Sequence, residues 1–138
     1  MIPSDYQYTC VERFLKYVTY DTQSDETSET FPSTAKQKIL GADLVEELKA
    51  MGLADAAMDE YGYVMATIPS NSDKADAPVI GFIAHMDTSP DVSGANVRPV
   101  LHEGYNGGDI TLPADPSIVI TVADNPHLAG KLGETIIT

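Results

Sequence analysis

Apolar residues recur at helical spacing twice near the start of the chain and then give way to short runs that suit strands. Val11, Phe14, Leu15 and Val18 fall at i, i+3, i+4 and i+7 and make one stripe, with Thr9 and Glu12 at the spacing of a capping box. A first helix is predicted over roughly Cys10 to Tyr20. The segment "DTQSDETSETFPST" is polar and acidic, closes on a proline motif at Pro32, and reads as a loop. Beyond it Thr34 and Gln37 offer a second capping box. Ile39, Leu40, Leu44, Leu48 and Met51 keep helical periodicity, and Gly52 supplies a stop. "DAAMDEYGYVMATIPS" predicts a hairpin turning at Glu60 to Gly62, and "NSDKADAP" is a polar connection. The next run differs in kind. "PVIGFIA", Pro78 to Ala84, is apolar without alternation, which predicts a strand buried on both faces between covering helices. The expected fold class is therefore α/β, with helices packed on a mixed, largely buried β-sheet.

Composition narrows the function. The chain has 138 residues, 43% of them hydrophobic, enough for one small domain or a piece of one. Its 21 acids against 8 bases give a net charge of -13, which repels nucleic-acid phosphates and anionic membrane surfaces, so neither is an expected partner. No apolar run approaches the roughly 18 residues of a membrane span. The start "MIPSDYQYT" lacks the basic and then apolar run of a secretion signal, and one cysteine cannot form an internal disulfide, so a cytoplasmic protein is expected. Cys10, in the first turn of the first helix with no histidine near it in sequence, reads as a packed, inert thiol.

Candidate chemistry gathers where the apolar run ends, in "GFIAHMDTSPDVSG". Ligand sites of α/β sheets lie beyond the carboxyl ends of strands, where His85 and Asp87 are expected. Along extended backbone, residues i and i+2 project to the same side, roughly 6 to 7 Å apart, so the Asp87 carboxylate can reach one imidazole nitrogen and leave the other for a metal. A plain alternative stays open: His85 ends a strand and Asp87 caps the turn at "DTSP". A catalytic zinc takes about three protein ligands, and the other candidates are poor. His102 in "PVLHEGY" and His127 after Pro126 suit surface positions, and Asp91 and Asp109 have turn-forming neighbours. There is no calcium-loop pattern, Gly-rich phosphate loop or G-x-S-x-G elbow. From residues alone this is half a metal site.

The run of motifs "RFLKYVTYDTQS", "PST", "MGL", "GYVMATIP", "TSPDVSG" and "NVRPVLHEGYNGGDITLP" resembles the peptidase T family, tripeptide aminopeptidases among the dinuclear zinc hydrolases that include carboxypeptidase G and the aminoacylases. His-x-Asp is common to that superfamily; "TSPDVSG" followed by "YNGGDI" is the specific part. The resemblance implies that His85 is a metal ligand and that Asp87 is the catalytic-motif residue that holds it. It implies metal-assisted hydrolysis of tripeptides, with two zincs in the complete enzyme activating a water whose proton a glutamate takes. The family's bridging aspartate, in a Gly-Ala-Asp-Asp motif expected soon after "LGETIIT", its glutamates, its further aspartate and its late histidine do not occur here. Residues 1–138 are accordingly expected to be the N-terminal part of the catalytic domain of a zinc-peptidase fold, without the lid domain, holding one weak partial zinc site and inactive alone. Open strand edges in such a piece predict self-association. The competing reading is a non-catalytic acidic interaction module derived from a peptidase, against which "GETIIT" counts because it reads as a strand.

Overall fold

The computed structural model describes residues 6–138; Met1 to Asp5, part of the stretch read for a secretion signal, lie outside it. The chain forms two compact units, one up to Val97 and one of Arg98–Thr138.

In the first unit two helices are followed by a hairpin. Helix α1 spans Cys10–Tyr17 and helix α2 spans Gln37–Ala50. Neither capping box forms. Arg13, one turn on, gives its Nε–H to the Thr9 hydroxyl at 2.9 Å, and Thr34 accepts from the Gln37 side chain at 3.1 Å while donating to the carbonyl of Gln23 at 2.8 Å. Hydroxyls that serve side chains and loops are lost as caps. The end of α2 follows the expectation. Gly52 at φ 96° gives its N–H to the carbonyl of Lys49, and Leu53 gives its own to Leu48, the paired bonds of a Schellman turn.

The two helices are joined by charge more than by grease. Arg13 pairs with Glu47, Lys16 lies 2.5 Å from Asp43, and the Tyr17 hydroxyl donates to Glu47 at 2.9 Å. Helix α1 buries no residue, so its apolar stripe stays partly open, with Val11 and Phe14 exposed. Cys10 is exposed as well, which corrects the expectation of a packed thiol: it opens a helix that has no buried face.

The hairpin forms where expected. Strands β1, Ala57–Met58, and β2, Val64–Met65, pair antiparallel, and the Asp59 carboxylate accepts from the N–H groups of Tyr61 and Tyr63 to close the turn, with Gly62 at φ 89°. The hairpin packs on α2. Gly41 makes this possible, since a Cβ there would lie 2.6 Å from the sulfur of Met58. Among the described residues of this unit, Leu40 and Val45 of α2, with Ala56 beside the hairpin, are the buried apolar ones.

The strand expected over Pro78 to Ala84 does not form. No backbone hydrogen bond engages these residues among those described, and Val79, Phe82 and Ile83 are 100%, 95% and 99% exposed. A strand buried on both faces needs covering elements on its faces and a hydrogen-bonded neighbour along an edge, and among the described residues this stretch has neither. Among the described residues the large buried sheet is replaced by three two-stranded antiparallel ribbons.

The second unit holds the other two. Strand β3, Leu101–His102, pairs with β6, Ile136–Ile137, and β4, Ile110–Thr111, pairs with β5, Val119–Ile120. A short 3₁₀ helix, Pro126–Gly130, lies between. Tyr105 and Ile110 are its buried centre, and the Tyr105 hydroxyl donates to the carbonyl of Gly108 at 2.6 Å, tying the "YNGGDI" turn to its own start. The architecture is mixed α and β, and no helix among the described residues is long and apolar enough to cross a membrane.

Candidate functional site

The segment that carries His85, Met86 and Asp87 alternates sides as extended chain must. Met86 reaches toward α2, its Cε lying 3.6 Å from where a Cβ on Gly41 would stand. His85 and Asp87 therefore share the other side. The His85 Nδ1 and Asp87 Oδ1 atoms are 3.1 Å apart, with the imidazole 84% exposed and the carboxylate 43%. Since the carboxylate can only accept, the ring that fits carries its proton on Nδ1, which leaves the Nε2 lone pair open to solvent.

The chain just beyond Asp87 is held firmly. Thr88 forms a parallel bridge with Gln23: its N–H donates to the carbonyl of Thr22 at 3.2 Å, and its carbonyl accepts the N–H of Ser24 at 2.9 Å and the Ser24 hydroxyl at 2.9 Å. Thr22 is buried. Gly94 closes the same seam, because a Cβ on it would lie 3.1 Å from Asp21 Oδ1 and 3.2 Å from Thr88 Oγ1. Asp21 in turn pairs with Lys36 at 2.7 Å, and that ammonium holds its carboxyl below the usual carboxylate range. The segment "DTQSDETSETFPST" is a loop as read, and the seam escapes that reading because the backbone of Thr22 and Ser24 makes most of its bonds to Thr88.

Each of the remaining candidates has a structural partner or is open to solvent. Asp91 accepts the Ser89 hydroxyl in a local turn, and Asp109 accepts the N–H of Val122 at 2.8 Å. His102 lies on β3 with Nε2 3.0 Å from the Thr138 hydroxyl, and His127 is exposed on the 3₁₀ helix. Among the described residues no three His, Cys, Asp or Glu side chains gather as a group that could hold a metal. His85 and Asp87 thus have the donor chemistry of a zinc ligand and its orienting carboxylate, and the described residues do not complete a site around them.

No protein-family model matches the chain. Curated proteins do. It is 58% identical over 130 residues to the peptidase T of Alkaliphilus oremlandii, a match that takes in 93% of this chain and 32% of that protein. The peptidase T of Clostridium acetobutylicum is 54% identical over 128 residues and that of Geobacillus kaustophilus 52% over 128, each match covering 93% of this chain and 31% of the relative. The chain spans about a third of the length of the curated relatives it matches.

Proposed function

We propose, for a chain that belongs to the peptidase T family, that it presents His85 as a metal ligand and Asp87 as its orienting carboxylate within a larger aminopeptidase that removes the N-terminal residue from tripeptides. The 3.1 Å contact of His85 Nδ1 with Asp87 Oδ1 carries this reading, because it fixes the one tautomer whose Nε2 can bind a metal. Zinc suits an imidazole backed by a carboxylate, and two zincs per whole enzyme are the working expectation. One histidine is not a site. The remaining ligands and the general base come from the rest of the protein, and the present chain is inactive alone.

In that whole protein, residues 1–138 are the N-terminal part of the catalytic domain. The single cysteine and the acidic surface suit a cytoplasmic enzyme with no nucleic-acid or membrane partner. The test is bound metal and tripeptide turnover in the whole enzyme. His85→Ala should lose metal from one position, and Asp87→Ala should keep most metal while kcat falls about 10- to 100-fold. Full metal and wild-type turnover in both variants would refute the assignment.

A further inference from the structure

We propose that Gln23 is a positioning residue for the His85–Asp87 pair, acting through the loop Thr88 to Val92; the proposal rests on the reading of that pair given above. The Gln23 side-chain amide donates to two carbonyl oxygens of that loop, Pro90 at 3.0 Å and Val92 at 3.2 Å, so both of its N–H bonds are committed to the turn after Asp87. Its backbone lies in the bridge to Thr88, the residue next to Asp87. Gln23 is itself held, its N–H bonded to Asp21 Oδ1 at 3.2 Å and its carbonyl to the Thr34 hydroxyl at 2.8 Å, which ties it to the entry of α2. On the other side of the pair, Pro78 to Ala84 contributes no backbone hydrogen bond among the described residues. The pair is thus anchored from one side, and Gln23 is the side chain that spans the anchor. An aspartate that must keep one imidazole tautomer within hydrogen-bond reach depends on that anchor, since a shift of about 1 Å is enough to cost rate.

The test compares variants in the whole enzyme. Gln23→Glu keeps the side chain's size and sets a carboxylate against two carbonyl oxygens. It should lower kcat about tenfold or more while KM and bound metal stay within about twofold, and nitrogen NMR of the metal-free enzyme should show the Nε2–H tautomer of His85 gaining population. A loss of folding alone would not move the tautomer of the folded fraction. Asp87→Ala, run in parallel, separates the two readings: if it lowers kcat and Gln23→Glu does not, the clamp is wrong and the pair stands, and if neither lowers kcat both are wrong. A measurement without substitution guards against a misfolded variant. In the 138-residue chain the amides of Ser24 and Thr88 should exchange hydrogen about tenfold more slowly than those of residues 79–84, which have no backbone partner among the described residues, and equal rates would overturn the proposal.

Discussion

Lys16 of α1 and Asp43 of α2 hold their charged atoms 2.5 Å apart, and this pair, with Arg13 and Glu47 beside it, links two helices that share few buried apolar residues. Each partner shifts the other. The Lys16 ammonium, and after it the Tyr20 hydroxyl, hold the Asp43 carboxyl below its ordinary 3.8, and Asp43 raises Lys16 above 10.5. Asp43 therefore stabilises the fold above pH 3.8, a contribution lost as pH falls through its lowered folded value; the Lys16 contribution is present below pH 10.5 and lost as pH rises through its raised one. Lys16→Met should lower the melting temperature at neutral pH and low salt. The gap from wild type should close well below pH 3.8 and shrink in about 1 M salt, where the screening length is about 3 Å. An equal gap under all three conditions would mean that the lysine stem, not its charge, does the linking.

At the far end of α2, Gly52 adopts φ 96° with no atom within 4 Å of the place a Cβ would occupy, so substitution there tests backbone conformation without crowding. Gly52→Ala should cost roughly 1–2 kcal/mol in urea unfolding. Unchanged stability would show that the turn re-forms with another residue in the left-handed position.

Much of the local structure was legible because it depends on residues close in sequence. The stop of α2 at Gly52, the turn at Gly62 and the reach of Asp87 to His85 all follow from spacing and glycine. The caps failed because hydroxyls accept whichever donor arrives: Arg13 takes Thr9, and Gln37 with Gln23 takes Thr34. The strand at Pro78 to Ala84 failed because a strand is a property of its neighbours, which apolar composition cannot supply. The clamp on Thr88 joins residues far apart in sequence, and periodicity carries no record of such a pairing.

The exposed run from Val79 to Ile83 has consequences in solution. It is uncharged, unpaired and β-prone, so the 138-residue chain should self-associate at high micromolar concentration, and Phe82→Lys should shift it toward monomer. Sedimentation velocity decides this; a clean monomer at that concentration contradicts it.

The same chain should release no amino acid from a tripeptide, with or without added zinc, because the described residues gather no three-ligand group. Calorimetry should find zinc binding weak and little altered by added salt screening beyond its nonspecific part. Turnover that follows this chain through purification and disappears in Asp87→Ala would contradict the account.

The central claim, that His85 binds metal through Nε2 while Asp87 holds Nδ1, is tested most directly by anomalous scattering from zinc-loaded crystals of the whole enzyme. The account predicts a zinc about 2.0–2.1 Å from His85 Nε2, with Asp87 still hydrogen-bonded to Nδ1. Zinc peaks with His85 outside their coordination would contradict it.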